Sequence, residues 1–179
     1  MPLSSPSRLA ALASAAVLAA CSPTFNWREV PIADDGLVAL LPCKADRATR
    51  ALPLGPESVA VDMAGCEAGG ATFAVAHAAA GDAAQAEAWM RAWRLATRSQ
   101  LGAGPVVEAA AVLPRAAAQP GPVRLDAPDA SPDGRGASTH VLWFAQQRAG
   151  KVALYQATVL GRPSSPEALP TFFEGLRLP

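Results

Sequence analysis

The sequence predicts an α+β domain in which an antiparallel sheet, built from hairpins, is covered by one long and one short helix. Three observations indicate this class. Two pairs of segments alternate apolar with polar residues around tight turns, an amphipathic stretch with a period of 3.6 separates them, and a short helical segment lies near the end of the chain. Hairpin connections between strands, followed by helices, are typical of an antiparallel sheet with helices packed on it.

The first predicted hairpin follows a short apolar strand at residues 37–41. Apolar side chains alternate with small or polar ones over residues 58–67 and again over 71–78. Gly69 and Gly70 stand between the two runs and supply the positive φ that a tight turn requires. We therefore expect two antiparallel strands joined at the glycine pair.

The helix predicted over residues 83–101 is the most periodic segment of the chain. Asp82 and Gln85 have the spacing of a capping box, and Gly102 and Pro105 end the pattern. The residues on the apolar stripe are Ala86, Trp89, Met90, Trp93, Ala96, Thr97 and Leu101. Trp89 and Trp93 could stack on a flat ligand, but their helical spacing favours a place in the core.

The second half of the chain again contains predicted strands followed by a helix, with a long loop between the strands. Residues 106–113 are predicted as a strand, and residues 114–137, rich in Pro, Ala, Asp and Gly, as a loop with a short strand inside it. Residues 138–147 and 151–160 form a second predicted hairpin. A serine followed by a proline at 165–166 then opens the short C-terminal helix, with a start one turn later, which Pro170 favours, as the alternative.

Composition limits the size of the core and excludes one class of partner. Of the 179 residues, 51% are hydrophobic but only 6% are aromatic, and much of the apolar content is alanine, so we expect one modest core. The 15 basic and 15 acidic residues balance, and the basic residues form no stripe or run. Nucleic-acid binding by phosphate neutralisation is therefore not expected.

Residues 1–20 have the zones of an export signal. A polar leader ends in Arg8, and an uncharged apolar run follows over residues 9–18. That run is shorter than the roughly 20 residues needed to cross a hydrocarbon core of about 30 Å. It is therefore predicted to be a cleaved signal peptide and not a membrane span.

The run ends in Leu18-Ala19-Ala20-Cys21, which resembles the lipobox of bacterial lipoproteins. The resemblance implies that diacylglycerol is transferred to the Cys21 sulfur, that the chain is cut before Cys21, and that the new amino group is acylated, for example with palmitate. An aspartate after the cysteine favours inner-membrane retention in such proteins, so Ser22 favours the outer membrane, facing the periplasm. An ordinary secretory signal with an incidental cysteine and an uncleaved anchor remain open alternatives.

This interpretation divides the chain into three parts. Residues 1–20 are the signal peptide, residues 21–36 a lipidated tether, and residues 37–179 a single domain with a flexible loop at about 114–137. The membrane partner is lipid, held through Cys21.

Two further cysteines remain in the exported part of the chain. Cys43 and Cys66 each stand at the end of a predicted strand, and the compartment is oxidising. A disulfide that closes a loop of this length contributes on the order of 3 kcal/mol. We predict that the two are paired, with two reduced buried thiols as the alternative.

The motifs of known active sites and metal sites are missing from the sequence. The two histidines, His77 and His140, lie in predicted strands without the spacing of a metal site. No GxSxG elbow occurs, and the paired aspartates fall in polar, proline-rich segments. No residue is therefore assigned a catalytic, cofactor-binding or metal-binding role.

The order of elements and the ending PTFFEGLRL resemble small α+β domains of the PsbP-like type. This resemblance covers most of residues 37–178, depends on layout alone, and transfers no functional residue. It implies a binding or assembly-accessory role. We therefore expect a lipid-anchored envelope protein whose non-catalytic domain binds an envelope protein partner. An envelope hydrolase that uses His77 or His140 as its base and a purely structural envelope lipoprotein are the alternatives.

Overall fold

A computed structural model describes residues 23–101, 104–129 and 137–179. In these ranges the chain forms two antiparallel sheets and two helices. The smaller sheet is a hairpin of β1 (Arg28–Ile32) and β2 (Leu37–Leu41). The larger sheet has seven strands in the order β3-β4-β5-β9-β8-β7-β6.

The bounds of the larger sheet's strands follow the chain. They are β3 (Asp46–Leu54), β4 (Glu57–Ala68), β5 (Ala71–Ala80), β6 (Val107–Ala110), β7 (Val123–Ala127), β8 (Thr139–Arg148) and β9 (Lys151–Gly161). The helices are α1 (Ala83–Gln100) and α2 (Ala168–Glu174). Antiparallel strands with one long and one short helix are as predicted, but the fold is predominantly β, and its first hairpin is a layer of its own.

Helix α1 begins where its capping residues predict. The Asp82 carboxylate accepts a hydrogen bond from the Gln85 backbone N–H at 2.8 Å, and the Gln85 side chain accepts one from Gly81 N–H, also at 2.8 Å. Both bonds satisfy donors near the first turn of the helix. Trp89 and Trp93 are buried against the sheet, so the core interpretation of this stripe is confirmed.

The two faces of the larger sheet carry separate apolar clusters, because successive side chains of a strand point to opposite faces. Helix α1 covers one face, where Trp143, Val61 and Leu154 are buried beneath it. The β1–β2 hairpin and α2 cover the other, over Phe73 and Tyr155. The molecule therefore has three layers, with the larger sheet in the middle.

The predicted start of the domain differs from the structure. Residues 28–36 were expected to belong to the tether, but they form β1 and its turn, because Val30 and Ile32 are buried in the core. The short strand predicted inside the 114–137 loop is present as β7. Residues 130–136 of that loop lie outside the described residues.

Neither of the two helices in the described ranges combines the length and the apolar character needed to cross a membrane.

Candidate binding groove and buried polar cluster

A groove of about 680 Å³ lies between two segments that flank the end of the sheet formed by β7 and β8. One wall is the loop at residues 111–115, and the other is the C-terminal segment from Phe173 to Leu178. Its buried apolar surface comes from Leu142, Phe173, Leu176 and Leu178. A concave surface of this size with a mostly apolar lining is typical of a ligand or peptide site.

The pairing of β7 with β8 positions the polar groups beside the groove. Arg124 lies opposite Leu142 and Asp126 opposite His140, so all four side chains share one face of the sheet. Asp126 Oδ1 accepts hydrogen bonds from Arg124 Nε at 3.0 Å and from Nη2 at 2.8 Å. The guanidinium then lies over the Phe173 ring, 3.7 Å from its centroid. Arg124 is therefore held flat against the wall of the groove.

His140, on the neighbouring strand β8, also contacts the Asp126 carboxylate. Its Nδ1 lies 2.6 Å from Asp126 Oδ1. Partial burial raises the pKa of Asp126, but the hydrogen bonds from Arg124 and His140, with their positive charge, outweigh burial and lower the pKa below its ordinary value. Asp126 therefore stays ionised, and His140 serves to orient the arginine.

The rim of the groove combines an exposed apolar residue with a cation. Val112 is 94% exposed, although it is large and apolar. Arg115 adopts a positive φ of 66° and donates from Nη1 to the Leu178 carbonyl oxygen at 3.2 Å. Its guanidinium forms no ion pair with any described residue. The groove therefore offers apolar contact in its centre and N–H donors at its edge.

A second feature is a cluster of buried polar side chains under the β1–β2 turn. His77, Gln146 and Tyr155 lie on one face of three adjacent strands and are 5%, 6% and 0% exposed. Both ring nitrogens of His77, Gln146 Oε1 and Tyr155 Oη are buried without a hydrogen-bond partner among the described residues. Such groups are rare in folded proteins and mark places where function or bound water offsets the cost.

Two carboxylates flank His77. Its Nε2 lies 2.6 Å from Asp35 Oδ2, and its Nδ1 lies 3.9 Å from Asp62 Oδ2. The Asp35 contact is short but poorly aligned for a hydrogen bond, so its contribution is electrostatic. Burial and the Asp35 charge raise the pKa of Tyr155 above its usual value, against the opposing effect of Arg148. Tyr155 is therefore a neutral phenol at physiological pH and cannot act as a base.

The structure does not bring the two histidines together. Tyr155 lies opposite both His77 and Phe144, and His140 is four residues from Phe144 along β8. Two strand spacings and four residues of rise separate the histidines by about 16 Å. Among residues 23–101, 104–129 and 137–179, no group of three or more His, Cys, Asp or Glu side chains could hold a metal ion.

The structure describes two of the three cysteines of the sequence. Cys43 and Cys66, predicted to pair, are joined by a disulfide. Cys21, the predicted lipidation site, lies outside the described residues.

Sequence reasoning missed Arg124 and Tyr155. The signal for Arg124 was its alternation with Asp126 around Leu125, which is typical of a strand with one charged face. Tyr155 carried no signal, because its place beside His77 depends on the pairing of β5 with β9.

Neither a protein-family model nor a curated protein matches this sequence.

Proposed function

We propose that the protein is a lipoprotein of the cell envelope, held in the outer membrane through Cys21 and facing the periplasm. Its domain is a non-catalytic binding domain, and its groove takes an apolar segment of another envelope protein. The observation that carries the proposal is the groove between the 111–115 loop and the C-terminal segment, with the exposed Val112 on its rim. An apolar segment of a partner would contact the apolar lining of the groove, which Leu142, Phe173 and Leu176 contribute to.

The disulfide supports export of the domain. A bond between Cys43 and Cys66 persists in the oxidising envelope and is rare in the cytosol. The remaining cysteine, Cys21, is then free for the lipid that the lipobox resemblance implies. Two or three acyl chains on one residue are enough for stable anchoring, whereas one chain alone is marginal.

The binding function is tested with photocrosslinkers on the two walls of the groove. A benzoylphenylalanine at Val112 and one at Glu174 should each capture the same envelope protein in living cells. The matched control is Leu95, which is 69% exposed on α1, on the opposite face of the sheet. Equal adducts from Leu95, or different adducts from the two walls, would exclude the groove as the binding site.

A hydrolase is the second candidate. His77 lies beside Asp35, as the general base of a hydrolase lies beside the carboxylate that orients it. Ser58 lines the same cleft as His77. However, Ser58 is four residues along β4 from Asp62, the residue opposite His77, which is a distance of about 13 Å. Water would have to serve as the nucleophile. Ester or amide hydrolysis that disappears in His77→Gln would establish this candidate, whereas activity equal in the two proteins would remove it.

A purely structural lipoprotein is the third candidate, and it requires no concave apolar surface. The groove favours binding over this role, and the crosslinking experiment decides between them.

A further inference from the structure

We propose that the domain stands on the membrane with the β4–β5 turn directed at the bilayer, and that Phe25 and Trp27 lie at the level of the lipid headgroups. This inference rests on the proposed anchor at Cys21. Two observations support this orientation. The connection from the anchor to the domain is short, and it ends at the β4–β5 turn.

The connection is too short to let the domain turn freely. Only three residues lie between Cys21 and Phe25, and the four Cα–Cα steps from one to the other span at most about 14 Å in a fully extended chain. Among the described residues, contacts with the domain begin at Phe25, inside the segment that the sequence predicts as a tether. The end of the domain that holds Phe25 must therefore stay close to the bilayer.

Three contacts fix residues 25–27 to the domain. Phe25 and Trp27 stack with their ring centroids 6.1 Å apart, and each meets the Phe73 ring edge-on, at 6.5 and 6.2 Å. Asn26 N–H donates to the Pro42 carbonyl oxygen at 2.7 Å. This segment is a fixed part of the fold, so it transmits the direction of the anchor to the whole domain.

The docking point identifies the end that faces the membrane. A Cβ atom built on Gly69 would lie 2.3 Å from Phe25 Cζ, so the ring rests directly on the β4–β5 turn. Gly69 O also accepts a hydrogen bond from Ser164 N–H at 2.7 Å, and the Cys43–Cys66 disulfide ties the segment after β2 to β4 at this end. The residues that follow the anchor are therefore packed on an end of the fold that a disulfide and a hydrogen bond hold together.

Both aromatic side chains are only partly buried. Tryptophan is enriched at membrane interfaces, where its ring meets apolar chains and its N–H meets water. Partial exposure of a stacked Phe–Trp pair within six residues of a lipidated cysteine fits contact with the headgroup region of a bilayer.

In this orientation, the two ends of the larger sheet lie at different distances from the membrane surface. Strand β9 runs for 11 residues from the β8–β9 turn to Gly161, which lies beside the β4–β5 turn. Its length is about 36 Å. The β8–β9 turn at Ala149 should therefore be the part of the domain farthest from the membrane.

Energy transfer to the membrane tests this difference in height. The native lipidated protein is reconstituted into vesicles of phosphatidylethanolamine and phosphatidylglycerol that carry a rhodamine headgroup acceptor. A donor dye is attached at Arg162→Cys, beside the β4–β5 turn, or at Ala149→Cys, and both positions are exposed. We expect severalfold more transfer from position 162 than from position 149. Equal or reversed transfer from protein that is firmly bound to the vesicles would overturn the orientation and leave the anchor intact.

A longer tether supplies the matched control. Twelve Gly and Ser residues inserted between Pro23 and Thr24 add a flexible connection of about 19 Å, and we expect the difference between the two positions to disappear. A difference that persists would contradict the short tether as its cause. Loss of both labelled proteins from the vesicles would instead contradict the anchor, and with it the proposed function.

Discussion

The guanidinium of Arg124 lies over the ring of Phe173, 3.7 Å from its centroid, and Asp126 holds it there. This relationship joins strand β7 to helix α2 across the wall of the groove. It links a short charged strand to the aromatic pair of the C-terminal helix.

Substitution of Arg124 tests this link. Arg124→Gln should lower the free energy of unfolding by about 1 kcal/mol, because it removes the cation–π contact. It should also weaken crosslinking from Val112, because the groove wall loses its support. Arg91→Gln, an exposed arginine on α1, is the control and should change neither quantity. Urea denaturation that finds the two variants equal would show that the stacked guanidinium does not stabilise the fold.

Asp126 should make the protein sensitive to acid. Its pKa in the folded protein lies below the ordinary value of 3.8, so this carboxylate stabilises the fold fully above about pH 4 and loses its effect as the pH falls through the folded-state pKa. Asp126→Asn should be less stable at pH 7 and should lose less stability than the unsubstituted protein between pH 4 and pH 2. Asp34→Asn is the exposed control. Parallel acid titrations of the unsubstituted protein and Asp126→Asn would contradict the pKa shift.

Tyr155→Phe tests the buried polar cluster. The hydroxyl has no hydrogen-bond partner in the described part of the chain, so its removal should raise the free energy of unfolding by about 1 kcal/mol at pH 7. Because the tyrosine pKa is raised by burial, the phenol also resists ionisation, and the unsubstituted protein should lose stability above pH 10 where the variant does not. A variant that is less stable at pH 7 would reveal a partner for the hydroxyl, such as bound water.

The two glycines of the β4–β5 turn form a matched pair. Both have positive φ, +57° at Gly69 and +82° at Gly70, so an alanine at either costs about 1 kcal/mol. Only at Gly69 does the new Cβ also meet the Phe25 ring, with Ser164 Oγ 2.7 Å away. Thermal denaturation should find Gly69→Ala clearly less stable than Gly70→Ala.

Phe25→Ala supplies the control for the glycine pair. It should remove most of the difference between the two alanine variants, because the ring is the main obstacle. If the difference persists in Phe25→Ala, the ring is not packed on the turn.

The sequence predicts those elements whose signals are local. Helix α1 follows from the Asp82 cap and a periodic apolar stripe, and the β4–β5 hairpin follows from its glycine pair and its alternation. Strand β3 is predicted only as a weak strand over its last four residues, 51–54, because it is an edge strand whose side chains are exposed on both faces for most of its length, so that the rest shows no alternation. Strand β1 was not predicted, because its five residues include Pro31 and a proline argues against a strand. A two-stranded hairpin tolerates it, since both of its strands are edge strands.

The groove and the polar cluster depend on contacts between distant segments. Arg124 and Phe173 are 49 positions apart in the chain, and Asp35 reaches His77 from a separate sheet. Neither relationship leaves a short-range pattern in the sequence, since both follow from strand pairing and from the docking of the first hairpin.

Mass spectrometry of the amino-terminal peptide, taken from protein isolated from native membranes, tests the central claim most directly. Attachment at Cys21 predicts a peptide that begins at this cysteine and carries a diacylglyceryl group on its sulfur. A peptide that begins at Met1, or an unmodified Cys21 thiol in soluble protein, would contradict the anchor and the envelope role built on it.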